Sequence, residues 1–389
     1  MVEHAVGLAR RGWDVTVISV GCGAHITTAE LASIDATGVR RVYCGNLSGS
    51  IGKKFWKVLR IVWQRPSVLR CLVSPHPWTY ANLLMAAKYL IHLGRLKPDV
   101  TYVHWAHVAA PICRVSPRLP MIVTWHGYDA NFVPRQRGEH CYQHLFACVH
   151  KHTVGSDFIR QRVIKLGCEK QDISLIPMGV RLQDFPYVDR SGRKNEVMTV
   201  VSVGRLVEFK GHEYLIRAVG VLKARGVLIR LKIAGDGDLR CSLESLITSL
   251  GFEGDVELLG AVPSDQICQL LHDSDVFALT GVTSSCGGVE GQGVVVIEAQ
   301  ATGLPVVTCN SGGLSDGILD GETGLLCSPK NVDDIVRALQ RYLDNPELRL
   351  CHGQRARKFV EEKFSIETML DSFEAVYAAN TGRQRVVRN

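Results

Sequence analysis

Between Ala36 and Pro98 the chain has no acidic residue, while eleven basic ones stand there: Arg40, Arg41, Lys53, Lys54, Lys57, Arg60, Arg65, Arg70, Lys88, Arg95 and Lys97. Such a segment excludes a cationic partner and suits an anionic surface. No apolar run reaches membrane-spanning length, and the opening Met-Val-Glu-His has no basic stretch leading into an apolar core. Neither a membrane span nor a signal peptide is expected, and the chain should stay in the cytoplasm. The 13 cysteines are odd in number and include no C-x-x-C pair, which argues for reduced thiols and against a zinc ribbon or a disulfide scaffold. A complete dinucleotide fingerprint is also missing. Gly21-Cys22-Gly23 follows a strand-like run, but Ile26 stands where the third glycine belongs and no acid follows at the expected distance, which disfavours a dinucleotide-dependent oxidoreductase. No D-x-D motif sits in a setting that would hold a metal, and no repeat has a solenoid period.

What is present divides into two halves. The length of 389 residues exceeds one comfortable core, so two domains are expected. Up to residue 190 there are 24 Lys and Arg against 12 Asp and Glu, and beyond it 21 against 26, so the halves have different partners. Within the basic half, Lys53, Lys54, Lys57 and Arg60 alternate with Phe55, Trp56, Leu59 and Trp63 at helical spacing, as in an interfacial helix. A solvated face with a core stripe is the plainer reading; docking on an anionic membrane or an acceptor fits better, and nucleic acid fits worst.

The order of elements is that of an α/β protein. Residues 3–11 read as a helix, and Asp14–Ser19, Asp99–His104 and Pro120–Thr124 as strands; the last two run into rim histidines, His104 and His107 after one and His126 after the other. A rim histidine serves as a general acid or base, a donor to a sugar hydroxyl, or a structural hydrogen-bonder. An α/β domain that opens on a helix lacks its first strand and the loop after it. The polar, turn-rich stretch 187–196 reads as a linker between a domain at 1–186 and one at 197–364, followed by a C-terminal helix and basic tail at 365–389 that should pack back on the first domain.

In the second half, strand-like Val197–Val203 leads into Gly204-Arg205-Leu206 and Lys210-Gly211, and Leu228–Ala234 leads into Gly235-Asp236-Gly237. An arginine fork and a lysine point charge at a strand's C-terminal end would neutralise a diphosphate. Val276–Leu279 opens a small, polar loop that ends at Glu290-Gly291-Gln292-Gly293-Val294. An apolar run with Glu298 follows, and Gly303 and Pro305 stop it. The two acids would lie about 12 Å apart if the span were helical throughout. The alternative is a capped helix with an exposed acid.

These residues together resemble a retaining glycosyltransferase of family 4, over nearly the whole chain. The resemblance rests on Gly204-Arg205-Leu206 with Lys210-Gly211, on Gly235-Asp-Gly237, on Glu290 to Glu298 running on to Pro305, on Asp320-Gly-Glu-Thr-Gly-Leu325, and on His126-Gly-Tyr-Asp129. It implies a GT-B fold, two Rossmann-like domains facing across a cleft, here without the first strand of the N-terminal domain. By the same resemblance Arg205 and Lys210 would hold the leaving diphosphate of a UDP- or GDP-sugar. Gly235 and the backbone of Gly291, Gln292, Gly293 and Val294 would line the donor, Glu290 would orient sugar hydroxyls, and Glu298 would bind the ribose. His126 would reach the sugar from the first domain, with Lys53, Lys54, Lys57 and Arg60 on the membrane or acceptor face. The implied activity is metal-independent and cofactor-free, moving a sugar to a glycan or lipid-linked acceptor in cell-surface polysaccharide assembly. An inactive nucleotide-sugar-binding protein is the rival reading.

Overall fold

The computed structural model describes residues 2–19, 34–44, 51–67, 69, 78–193 and 196–381. The Gly21-Cys22-Gly23 turn, the side chains of Lys53 and Lys54, Arg70, residues 194–195 of the linker stretch and the basic tail from Gly382 lie outside the described residues. The chain forms two compact units. One comprises the residues up to Val154, Arg162–Ile176 and those from Leu370 on; the other comprises Gly155–Gln161 and Pro177–Met369.

The first unit opens on α1 (Val2–Arg10), whose Val6 packs with Ile34 and Val39. β1 (Thr16–Ser19) pairs in parallel with β2 (Arg40–Tyr43). Then come α2 (Ile51–Gln64) and α3 (Tyr80–Leu96). A capping box starts α3: Thr79 Oγ1 accepts from the Asn82 N–H, and Asn82 Oδ1 accepts from the Thr79 N–H. β3 (Tyr102–His104), β4 (Ile122–Trp125), β5 (His152–Val154) and β6 (Ile173–Leu175) form a parallel sheet in that order. α4 (Ala106–Val115) follows β3, and α5 (Gln143–Cys148) follows β4.

The second unit is built on one six-stranded parallel sheet. Its strands are β7 (Met198–Val203), β8 (Ile229–Ala234), β9 (Val256–Gly260), β10 (Val276–Leu279), β11 (Val306–Cys309) and β12 (Gly324–Cys327). Across the sheet they run β9-β8-β7-β10-β11-β12. β10 and β11 are buried along their whole length, as expected of apolar strands covered on both faces. Neighbouring residues of β7 go to opposite cores. Val200 packs with Leu215 and Val219 of α6 (His212–Ala224), while Val201 packs with Val296 and Ala299 of α7 (Val294–Ala301).

The strand order locates the functional end of this sheet. The chain moves outward from β7 through β8 to β9, then returns to lay β10 against the other side of β7 and moves outward again. That reversal makes the C-terminal ends of β7 and β10 a topological switch point, where parallel α/β sheets open a crevice for ligands. α8 (Val332–Asp344) is capped by Asn331, whose side chain accepts from the Asp334 N–H. α9 (Pro346–Lys363) follows, and α10 (Ile366–Thr381) ends the described chain. Within the first unit, Asp371 and Glu374 of α10 bind Arg11, and Tyr377 Oη lies 2.9 Å from His4 Nε2.

Candidate active site

Two loops flank the switch point, one after β7 and one after β10, and their backbones are in direct contact. Gly211 has φ 68°, and a Cβ on it would come within 1.9 Å of the Thr280 carbonyl oxygen, so only glycine fits. Thr280 Oγ1 donates to the Gly211 carbonyl at 2.8 Å, and the Val282 N–H donates to the Phe209 carbonyl at 2.9 Å. This lacing brings Lys210, in a 3-10 turn, against Glu290, 80 residues later. Their ammonium and carboxylate form an ion pair with side chains only 13% and 18% exposed. Arg205 is exposed and lies over the Phe209 ring, 5.8 Å from its centre; the Lys210 ammonium is the same distance away.

Glu290 lies outside the helix. α7 begins at Val294, and Gly293, with φ 76°, occupies the cap position without a side-chain cap. The spacing of about 12 Å along one helix axis, expected from the sequence, therefore does not apply: the glycine turn takes Glu290 out of register with Glu298. The first-turn N–H groups of a helix have no intrahelical partner, and the absence of a capping side chain leaves this end of α7 suited to an anion. Glu298, one turn in, is half-buried. Burial pushes its carboxyl up to about 7, with Lys210 pulling in the opposite direction. α7 ends in a Schellman motif, the Leu304 N–H donating to Ala299 and the Gly303 N–H to Gln300.

The acid loop is pinned from several sides. The Gly313 N–H donates to the Glu290 carbonyl at 2.9 Å, and Ser156 Oγ donates to the Gly291 carbonyl at 2.5 Å. Gln292 is buried and its amide clasps Met178: Oε1 accepts from the backbone N–H at 2.8 Å and Nε2 donates to the carbonyl at 3.0 Å. The side chain of Gln292 thus holds the loop, which leaves its backbone for the donor contact expected from the sequence. Gly235 also acts by packing. A Cβ there would meet the Gly204 carbonyl at 1.9 Å, so it sets the height of the Arg205 loop. Sequence reasoning passed over Ser156 and His212. His212, buried at the start of α6, sits 3.3 Å from Ser202 Oγ, and burial holds its imidazole down to about 4. The only sequence signal for it is its place directly after the Lys-Gly turn.

In the first unit the rim histidines do converge. His104 Nδ1 and His126 Nε2 are 3.4 Å apart with the rings stacked. Burial pushes His126 down to about 4 and His104 to about 2, so both are neutral at pH 7. That favours a hydrogen-bonding role for His126 over that of a proton donor drawn from an imidazolium. Asp129 of the same motif is fully buried and joins the two strand ends. Its Oδ1 accepts from the His126 N–H at 2.7 Å and its Oδ2 from the Ala106 N–H at 2.6 Å. Burial raises this carboxyl to about 7 against the pull of those N–H groups. Trp105, between the strand and α4, takes φ 69°, a strained value for a residue with a side chain. On α2, Trp56, Leu59 and Trp63 are 71%, 42% and 83% exposed, beside exposed Lys57 and Arg60. Among the described residues no helix is long and apolar enough to cross a membrane.

Residues 186–359 match the model of glycosyl transferases group 1, and residues 1–184 that of glycosyltransferase family 4. The amylovoran biosynthesis glycosyltransferase AmsK of Erwinia amylovora is 30% identical over 300 residues, covering 73% of this chain and 71% of that protein. The chain belongs to glycosyltransferase family 4. The putative colanic acid biosynthesis glycosyltransferase WcaL of Escherichia coli is 33% identical over 226 residues, and that match covers 58% of this chain and 55% of WcaL, about half of its length. Among solved structures, Anabaena HepE in complex with UDP superposes with a TM-score of 0.73 at 16% identity, over 97% of this chain and 94% of that one. This establishes the GT-B fold, with its parallel sheets in two Rossmann-like domains.

Proposed function

We propose that this family 4 protein transfers a sugar from a nucleotide-sugar, a UDP- or GDP-sugar, to a glycan or lipid-linked acceptor in cell-surface polysaccharide synthesis. The observation that carries the reading is the Lys210–Glu290 pair, with Arg205 beside it, at the switch point of the six-stranded sheet. Relatives named for colanic acid and amylovoran biosynthesis support the polysaccharide role, and a structural neighbour holding UDP supports the donor class.

In this reading the donor diphosphate lies against Arg205, Lys210 and the first turn of α7. As the bond from the anomeric carbon to the diphosphate breaks, the electron pair goes to the diphosphate oxygen, and these cations and N–H groups stabilise the charge. The acceptor hydroxyl adds to the same face of the sugar, with retention, and its proton passes to the departing phosphate oxygen. Glu290 accepts hydrogen bonds from sugar hydroxyls. Glu298 sits on the ribose, and a carboxyl titrating near pH 7 serves there as donor or acceptor. Neutral His126, at the strand rim of the first unit, is equipped to give a hydrogen bond to a sugar hydroxyl. Two side-chain cations do the work of a divalent ion, so transfer proceeds without added Mg2+ or Mn2+. The exposed Trp56, Leu59 and Trp63, flanked by Lys57 and Arg60, form a peripheral contact with an anionic membrane that presents the acceptor.

Nucleotide-sugar hydrolysis without acceptor tests the catalytic reading. Wild type should release nucleoside diphosphate slowly, and Glu290→Ala should remove that background. A wild type that gains thermal stability from the nucleotide-sugar yet never cleaves it would instead be the binding protein.

A further inference from the structure

Away from the donor loops, three soft ligand groups meet inside the first unit. Cys113 is fully buried on α4. His144 and Cys148 lie one turn apart on α5, on the helix face that packs against α4. One ligand atom from each lies within 4.8 Å of the other two, and His144 Nε2 is 3.8 Å from Cys148 Sγ. The hydrogen bonds inside the cluster include long ones: the Cys113 thiol reaches the His144 carbonyl at 3.9 Å, and Cys148 Sγ stands 3.8 Å from His144 Nε2. A tetrahedral zinc ion, with bonds of about 2.3 Å to sulfur and about 2.0 Å to nitrogen, spaces its ligands about 3.5–3.8 Å apart. The three groups need to close by at most about 1.3 Å to match it.

We propose that Cys113, His144 and Cys148 bind a soft divalent cation, Zn2+, with water completing the tetrahedron. On binding, each thiol loses one proton to solvent. Two thiolates and one imidazole then balance the charge of the ion. The charged neighbour is Arg114, and a neutral centre adds no charge beside it. The ion takes no part in sugar transfer. It fastens α5 to α4 and stabilises the fold by mass action.

A second cysteine–histidine pair serves as an internal control. Cys268 Sγ and His272 Nε2 are 3.4 Å apart on one helix, but that nitrogen also faces the Pro186 carbonyl at 3.1 Å, and no third ligand joins them among the described residues.

The test titrates reduced, chelator-stripped full-length protein with Cd2+ and Co2+ as optical probes, and with Zn2+ in competition with a chromophoric chelator. The expected result is one ion per chain, a Cd2+ charge-transfer band sized for two thiolates, a tetrahedral Co2+ spectrum, and a higher unfolding temperature with Zn2+. Cys148→Ser should halve the thiolate band. His144→Ala should weaken Zn2+ by more than about tenfold, since loss of even an outer-shell partner costs about that much. Cys268→Ser should change nothing. The proposal is overturned if wild type holds no ion against the chelator, if Cys148→Ser and His144→Ala bind as wild type does, or if mass spectrometry finds a Cys113–Cys148 disulfide that Zn2+ does not prevent.

Discussion

Lys210 sits between two acids, paired with Glu290 and close enough to Glu298 to pull its carboxyl back toward the ionised form. In the proposed site it is the one cation that both neutralises the diphosphate and fixes the sugar-facing acid. Lys210→Met should therefore lower kcat/KM for transfer by about 10²–10³-fold, the range for loss of one preorganised charge-stabilising donor; a loss confined to KM would show that Lys210 only binds. Glu298 gives a pH signature. Its carboxyl, ordinarily near 4.5, stays protonated in the fold up to about 7. Between those values the unfolded chain has released the proton and the folded one has not, so stability falls as pH rises through that window and levels off above it. Glu298→Gln removes the effect. Its unfolding temperature relative to wild type should climb from pH 4.5 to pH 7, by the equivalent of up to about 3 kcal/mol, and a pH-independent difference would refute the assignment.

At the scale of elements, a glycine of the site loops differs in kind from one that only ends a surface helix. Gly211→Ala would drive a Cβ into the Thr280 carbonyl, whereas Gly251, at φ 73°, faces nothing within 4 Å. Thermal unfolding should separate them: about 1 kcal/mol lost for Gly251→Ala, and more than about 3 kcal/mol, with loss of donor binding, for Gly211→Ala. Much of this architecture was legible. β7, β8 and β9 are largely apolar runs closed by glycine, and the Arg205 and Lys210 positions follow from them, as those of Glu290 and Glu298 follow from the glycines around α7. What the sequence hid has physical causes. α3 has apolar residues on most of its circumference, α4 contains Pro111, and α9 has no clear apolar stripe, so none of the three declares itself by periodicity. β2 reads Arg-Arg-Val-Tyr and is mostly exposed. The role of Gln292 was invisible because its partner Met178 is 114 residues away, and Cys113 is likewise remote from His144 and Cys148.

The whole molecule carries its positive charge in its first half, and on α2 that charge accompanies exposed tryptophans. Sedimentation with vesicles containing anionic lipid should capture the protein. Trp56→Ser with Trp63→Ser should abolish capture, while Lys57→Gln with Arg60→Gln should weaken it and reduce its salt dependence; capture unchanged by either would overturn the contact. The molecule should also be acid-sensitive. His4, His104, His126, His152 and His212 are all held neutral by burial, at about 3, 2, 4, 4 and 4. Unfolding frees them to take up protons below 6.5, so stability drops as pH falls toward 4, by up to about 1.4 kcal/mol per pH unit for each. Calorimetry between pH 6.5 and 4.5 reads this directly. Finally, the strand order has a kinetic consequence. β7 and β10 are neighbours in the sheet, yet β8 and β9 intervene in the chain, and the ion pair they position closes a loop of 80 residues. Contacts of such sequence separation form late and slowly. During refolding the secondary structure should return first, and the proposed binding of nucleotide-sugar should return only with the slowest phase, when β10 docks.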